Sequence, residues 1–372
     1  MITSNISKLI IVLLLFFVVI IEPLFPRVSL LIVSILFLAV IFNVGMIKLP
    51  SAFPILLVIY IFILFYSVGN KAIFIDFRHH IYILIIFILL YQIRNRVNFF
   101  ENFFKISFHF CTLVFFLYIF FYLDLIPSFY KSSDVPEYQA FRIVGPSLDI
   151  FLFLPFLYSM KQFPRSHNDK YLFLAFLMGL FSCAISGSNT SLVIHIIFYL
   201  TAFYSGNIKF WIFNTLLLVT LLIAGFGFLS EGHIEKISQI GSPQESLTVL
   251  TRINDLASAY ERMLNQKENM IFGEGVGVTT EVLRISWDGK FSEYREFLEI
   301  DNGFFYVFHR LGIFGLLLYI ALFFFLVIKF GSSKNKLMFF SYFLITNLMT
   351  IHIFNQVFAA FYTIFLIREK SE

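Results

Sequence analysis

Asp301-Asn302 stands immediately before an apolar run, and His309-Arg310 follows two turns deeper inside it. An acid at the mouth of such a run is either a helix cap, for which Asp is a preferred residue, or a catalytic group. Charge inside hydrocarbon is costly and usually faces a bundle interior, which points His309 and Arg310 towards function. Upstream lie Gly273, Gly275 and Gly277. Glycines this close can aim backbone N–H groups at an anion, or simply close the helix before them. Arg252 and Arg262 sit off or beside an apolar stripe in that helix. Arg142 precedes a Gly-Pro turn in FRIVGPSLD, and Asn70–His80 gathers Asp76, Arg78, His79 and His80. A carboxylate, imidazoles and arginines are the groups that move protons and hold anions.

These groups need a polar platform, and the chain has one long one. Seventy-odd water-compatible residues begin near Glu231 and end at Asn302. Ser242-Pro243-Gln244-Glu245 has the form of a capping box with Pro at the first helical position. Leu247, Leu250, Ile253, Leu256, Ala257, Tyr260 and Leu264 then recur at helical spacing. That pattern predicts an amphipathic helix, lying on a membrane surface or packed on a bundle. Trp287-Asp288-Gly289 reads as an ordinary turn.

Everything else is lipid-compatible. Of 372 residues, 59% are hydrophobic and 13% charged, so a helical membrane bundle is expected. Apolar runs fall near 8–22, 28–47, 52–69, 79–93, 106–123, 149–163, 171–187, 190–206, 210–229 and 303–328. A further stretch, 337–367, would be ~46 Å long as one helix, too long to stand upright. Thr350, His352, Asn355 and Gln356 near its middle suggest a turn between two short helices. Twelve spans are expected, with eleven as the alternative. The fold class is all-α: a bundle over 1–230 (nine spans), a long outer loop over 231–302, and spans over 303–372 completing the same domain. The 54 Phe residues serve as bulky apolar surface, and the first run ends in Glu22-Pro23 without a small-residue cleavage site, as an uncleaved span does.

With both termini inside, inner segments hold fourteen Lys and Arg against five in the short outer loops. The long loop then faces outward. The +4 net charge is explained by this topology and does not point to nucleic acid. Cys111 and Cys183 lie in apolar runs, which argues against a disulfide. No Walker loop, dinucleotide fingerprint or solenoid repeat is visible, and His79-His80 is a lone pair without metal-ligand spacing. No cofactor and no metal are expected.

Taken in order, these features resemble the O-antigen polymerase (Wzy-type) and O-antigen ligase superfamily. Asp301-Asn302 precedes nine residues and then Gly312 and Gly315. That spacing matches the ligase branch, with Asp in place of its His. Arg252 opening TRINDLASAY, followed by Gly273-x-Gly275-x-Gly277, is similar to the family's loop. Arg142 in FRIVGPSLD resembles its Arg-x-x-Gly segment. SGSNTSLV at Ser186–Val193 looks like its Ser-x-Ser-Arg turn, with Asn189 where Arg is usual.

The resemblance implies a glycosyltransferase-C-like enzyme in a bacterial inner membrane, its active site facing the periplasm. It would move a glycan from an undecaprenyl diphosphate carrier to a sugar hydroxyl on a second lipid-linked glycan. Arg142 and Arg252, with Arg310 and Arg78 in reserve, would hold the diphosphate. Asp301 would act as general base with Asn302 orienting the sugar, and His309 or His79 could substitute for the base. Membrane lipids and a chain-length regulator protein are the further partners. The Asp favours polymerase over the alternative, a ligase acting on lipid A core. A flippase, the second alternative, would be expected to show internal repeats and mid-membrane polar residues instead of a large outer loop.

Overall fold

The computed structural model describes residues 4–44, 54, 58, 62, 66–67, 69–93, 99–126, 145–159, 165–203, 247–265, 267–285, 292–297, 300, 302–330, 333–349 and 357. Outside them lie Arg142, Asp301, the capping box at 242–245, the span expected at 210–229 and most of those at 52–69 and 350–367. The side chains of Arg78, His79, His80, Asn189 and Arg252 are likewise outside the description.

The described residues are mostly helical. Three of the helices, over Asn5–Leu24, Glu101–Tyr122 and Gly303–Phe325, are long and apolar enough to cross a membrane. Shorter apolar helical stretches cover Val28–Phe42, Leu84–Ile93, Lys170–Ile185 and Ser191–Leu200.

Helix α1 (Ser4–Leu15) widens into a π-helical stretch (Phe16–Ile21) and ends in one further turn (Glu22–Leu24). Pro23 has no N–H to give the carbonyl of Val19 four residues back. Ser147 fills that vacancy with its own N–H at 2.6 Å, tying the first helix to the turn before α5. Next come α2 (Pro26–Val44), α3 (Ile73–Ile93), α4 (Phe99–Tyr122), α5 (Asp149–Ser159), α6 (Arg165–Ile185) and α7 (Asn189–Phe203). The same remedy recurs in α5, where Pro155 leaves the Phe151 carbonyl open and the Tyr199 hydroxyl of α7 donates to it at 2.7 Å. At both prolines the carbonyl left open is thus taken by a group from another part of the chain, as backbone carbonyls away from water require.

Helix α4 packs on α5 and α6, α7 on α5 and α6, and α2 on α3. Their shared core buries Phe103, Phe153 and Phe198 completely, while Phe116 and Phe120 on α4 face outward. Phe therefore fills the core as well as the outer surface.

The long polar segment contains α8 (Leu247–Asn265), α9 (Lys267–Phe272) and an antiparallel hairpin of β1 (Thr280–Ile285) and β2 (Ser292–Phe297), in register from Thr280↔Phe297 to Ile285↔Ser292. The hairpin is the exception to the all-α expectation. Trp287-Asp288-Gly289, read as a turn, falls between its strands in sequence and lies outside the described residues. A lone hairpin is marginal; this one rests on α8, against which β1 packs. The amphipathic helix is present, but its expected apolar stripe is not the packed face. Asp255, Ala259 and Met263 are buried, while Ile253, Ala257, Tyr260 and Leu264 are exposed.

The chain then enters α10 (Gly303–Phe330) and α11 (Ser333–Met349), and α11 packs on both α7 and α10. At 1.5 Å per residue α10 is ~42 Å long, more than an upright span needs. It breaks at Gly312, whose φ of 64° and ψ of −167° are not helical. The break frees the carbonyls of His309 and Arg310, which accept the N–H groups of Glu274 and Gly275 at 2.9 Å each. A Cβ at Gly312 would stand 2.2 Å from the Ile271 carbonyl oxygen. Only glycine fits there.

A Gly312→Ala protein therefore combines a disfavoured φ with a backbone clash, at a cost of at least about 1–3 kcal/mol. Its thermal midpoint in detergent, followed by far-ultraviolet circular dichroism, is expected below that of Gly69→Ala, where an added Cβ meets nothing within 4 Å. Equal midpoints would show that the break is not held by this contact.

Candidate functional site

The loop after α9 is seated by its backbone. Gly273, Gly275 and Gly277 all have positive φ, at 78°, 89° and 81°. A Cβ at Gly273 would meet the Arg310 carbonyl carbon at 2.2 Å, and one at Gly277 would meet Ile73 Cα at 2.3 Å. Every N–H from Gly273 to Gly277 has a protein acceptor. Gly273 donates to the Asn269 carbonyl at 2.8 Å, Glu274 and Gly275 donate to α10, Val276 to Ser67 Oγ at 2.7 Å, and Gly277 to Asp76 Oδ2 at 2.8 Å. The Gly-rich segment is therefore no open cradle for a phosphate, because its donors are already in use. Among the described residues, the anion that its N–H groups meet is the Asp76 carboxylate. The carbonyls are held as well: Tyr66 donates to Gly273, Asn70 to Glu274 and Val276, and the Ala72 N–H to Gly277.

Beneath the loop is a buried ion pair. Arg310 Nε donates to Asp76 Oδ2 at 2.7 Å, and both side chains are 2% exposed. The Tyr306 hydroxyl donates to Asp76 Oδ1, and the Tyr306 ring lies 3.8 Å under the Arg310 guanidinium carbon. One helical turn separates Tyr306 from Arg310, so α10 presents both to α3 together. The carboxylate thus accepts from a guanidinium, a phenol and a backbone N–H, which is the company a buried charge needs.

A second set of groups adjoins the first. Arg310 Nη1 lies 3.5 Å from His309 Nδ1. A guanidinium has no lone pair to offer, so Nδ1 of a neutral ring must be the acceptor and Nε2 carries the hydrogen. Nε2 faces Thr280 Oγ1 at 3.4 Å and Glu274 Oε1 at 3.7 Å. Glu274 is in turn held by Arg262 Nε at 2.9 Å, and Arg262 Nη1 donates to the Thr279 carbonyl at 2.7 Å. The chain of contacts runs outward from buried Arg310 through His309 and Glu274 to half-exposed Arg262.

It ends at a cavity of about 320 Å³ between the Gly69–Lys71 turn, α8 and the hairpin. Asn70, Ser258 and Thr279 line it, with Lys71, Arg262, Glu281 and Glu296. Lys71 Nζ and Glu296 Oε1 are 2.8 Å apart. Their hydrogen bond, reinforced by their opposite charges, raises the Lys71 pKa and lowers that of Glu296, so both are charged at neutral pH. Two cations thus face two carboxylates across the cavity lining.

Of the residues singled out by sequence, His309, Arg310 and the three glycines meet in one place. Asn302 does not join them. Its Oδ1 accepts the Phe305 N–H at 2.9 Å and its Nδ2 donates to the Leu348 carbonyl at 3.2 Å, so it caps α10 and ties it to α11. Arg310 is committed to Asp76 and does not line the cavity, which leaves it poorly placed to clamp a phosphate. Arg142 and Asp301, with the side chains of Arg78 and Arg252, fall outside the described residues. Sequence reasoning noted Asp76 without pairing it to Arg310, and it gave no role to Tyr306, Glu274, Arg262 or Thr280. A lone acid opening one apolar helix and a lone arginine inside another were the available signal, since charges in such helices pair.

No family model matches the chain, and no curated protein matches it.

Removing one partner of the buried pair should cost about 3–5 kcal/mol, because the other charge is stranded. Asp76→Ala is expected to lower the thermal midpoint sharply, and Asp76→Ala/Arg310→Met to recover part of the loss. The comparison is a detergent thermal melt of the two proteins. A double variant no more stable than Asp76→Ala would show that the charge of Arg310 is not what Asp76 answers.

Proposed function

We propose that this chain is a polytopic membrane glycosyltransferase of the O-antigen polymerase type. It joins a polysaccharide carried on undecaprenyl diphosphate to a new lipid-linked repeat at the periplasmic face of a bacterial inner membrane. About twelve spans in a glycosyltransferase-C-like arrangement would provide the greasy surface for two prenyl tails. The resemblance in motif order supports the reaction class. The observation that carries the reading is the charge-balanced polar cavity between the Gly69–Lys71 turn, α8 and the hairpin, backed by a buried network.

The cavity's chemistry suits a sugar. Hydroxyl groups both donate and accept, so they are served by carboxylates, an arginine, an amide and hydroxyls placed together. A volume near 320 Å³ falls within the ~300–1,000 Å³ usual for small-molecule sites. A diphosphate wants an excess of positive charge, and two cations facing two carboxylates give none. The acceptor sugar therefore belongs in the cavity, and the diphosphate outside it, with Arg142, Arg252 and Arg78 nominated from the sequence as its cations.

In the reaction an acceptor hydroxyl oxygen attacks the anomeric carbon of the donor chain. The bond from that carbon to the diphosphate oxygen breaks, and its electron pair leaves with undecaprenyl diphosphate. The hydroxyl proton passes to a carboxylate, for which Asp301 stands one residue before the cap of α10. An ordinary Asp near ~3.9 is a weak base, so proton transfer runs late, as the new bond forms. Arg262, which lines the cavity and is fixed by Glu274, orients the acceptor.

Purified protein given a synthetic lipid-linked repeat, without nucleotide or added metal, is expected to produce a ladder of chain lengths. Asp301→Ala and Arg252→Ala should reach the membrane and leave single-repeat product, a loss of at least 10²-fold for the general base. Arg262→Ala should raise the acceptor KM more than it lowers kcat. In cells, loss of the gene should leave lipid A core capped with one repeat. Bare core with polymer still on its carrier would instead mark a ligase and overturn the proposal.

A further inference from the structure

Helix α8 carries two faces that do different things. At ~100° per residue, Ile253, Ala257, Tyr260 and Leu264 fall within about 60° of one another around the helix. All four are exposed, with Ile253 at 54%, Tyr260 at 43% and Leu264 at 48%. The buried residues Asp255, Ala259 and Met263 lie on the far side, against the rest of the outer loop and α10. Ser258 and Arg262, between the two faces, line the cavity. An apolar stripe this regular is expensive to leave in water, at roughly 25 cal/mol per Å².

The stripe does not stand alone. Ile271 and Phe272 at the end of α9 are also exposed, and the Phe272 ring stacks on Phe314 with centroids 6.2 Å apart. Phe314 belongs to the candidate span Gly303–Phe325, whose neighbouring Leu317 and Leu318 are exposed in the same way. A surface that faces lipid along the span therefore continues through Phe314 and Phe272 onto the outer loop. The break at Gly312 marks where this happens. From Ile313 to Phe330 the helix has eighteen residues, ~27 Å at 1.5 Å each and close to the thickness of a hydrocarbon core. The turns before the break, with His309 and Arg310, would then lie at the interface instead of deep in hydrocarbon.

We propose that the outer loop is a lipid-binding element: α8 and the end of α9 lie in the interfacial layer of the bilayer, with Ile253, Tyr260, Leu264, Ile271 and Phe272 immersed among acyl chains. Tyr260 suits that depth, with its ring in the apolar layer and its hydroxyl towards the headgroups. This places the cavity, whose wall includes the opposite side of α8, at the height of the headgroups. The inference rests on the exposed faces alone and stands or falls separately from the proposed reaction.

The test uses the whole protein in nanodiscs of phosphatidylethanolamine and phosphatidylglycerol. Ile253→Cys, Tyr260→Cys and Leu264→Cys proteins are labelled with the environment-sensitive fluorophore NBD, beside Asn265→Cys, an exposed polar position at the end of α8. Cys111 and Cys183 are buried and free, so they contribute little label. Each protein must first elute as a single species, which separates misfolding from misplacement. Labels at 253, 260 and 264 are expected to emit to the blue, to lose emission when shallow doxyl-labelled lipid is included, and to resist iodide. Asn265 should behave in the opposite way. Labels at the three positions quenched by iodide as readily as Asn265 would mean the stripe stands in water. Labels shielded from both quenchers would mean that protein, such as a second copy of this chain, covers it. Either result overturns the proposal.

Discussion

A carboxylate and a guanidinium buried together must satisfy each other, and the polar end of this molecule is built to let them. Asp76 opens α3 and Arg310 lies within α10, two helices far apart in the chain. In a medium of low dielectric neither could be left alone, since a stranded charge there costs several kcal/mol. The pair therefore acts less as glue than as a key. It admits one placement of α3 against α10, and Tyr306 and the Gly277 N–H complete the shell around the acid. A hydrophobic contact between the same helices would tolerate sliding, whereas a hydrogen-bonded ion pair does not.

The glycines follow from that constraint. For Gly277 to reach Asp76, the loop must pass close over Ile73, and for Glu274 to reach α10 the helix must offer carbonyls it would otherwise use itself. The break at Gly312 supplies them. Loop and helix thus exchange backbone hydrogen bonds across an interface where both lack their regular partners. Such an exchange is the general solution for irregular backbone at membrane depth, which is tolerated only when buried in protein. It also accounts for the absence of Cβ atoms at Gly273 and Gly312, each of which lies against backbone of the other segment, while Gly277 lies against Ile73 of α3.

Much of this was legible in the sequence, and the reasons for the rest are physical. Apolar runs disclose helices because hydrocarbon leaves the backbone no other choice, and α4 and α10 fall on such runs. The polar segment disclosed itself by contrast. What spacing could not show was partnership. Asp76 and Arg310 are more than two hundred residues apart, and nothing local in either helix names the other. The glycine cluster was misleading for a related reason. Its pattern describes a loop with exposed N–H groups, and only the fold reveals that α10, Ser67 and Asp76 have taken them. Of the stripe expected on α8, Ile253, Ala257, Tyr260 and Leu264 share one exposed face, and the spacing left open what that face meets. Amphipathic spacing reports that a helix has two faces, and the buried one here is Asp255, Ala259 and Met263, where an acid interrupts the apolar pattern. The hairpin was hidden because its strands are short and charged, with Glu281, Arg284, Glu293, Arg295 and Glu296 among twelve residues.

His309 shows how the rigid interior bears on the cavity. A neutral imidazole between Arg310 and Thr280 has its tautomer set from inside, because the guanidinium can only donate. Its Nε2 hydrogen then points at Thr280, a residue of the cavity wall. With that oxygen lone pair engaged, the Thr280 hydroxyl hydrogen is free to turn towards whatever occupies the cavity. Arg262 is directed by Glu274, which lies beside the same ring. Thr280 at the cavity wall is thus linked through His309 to an ion pair it does not touch, while Arg262 is held separately by Glu274 and the Thr279 carbonyl. Groups whose rotamers are already fixed in this way lose little entropy when a ligand arrives.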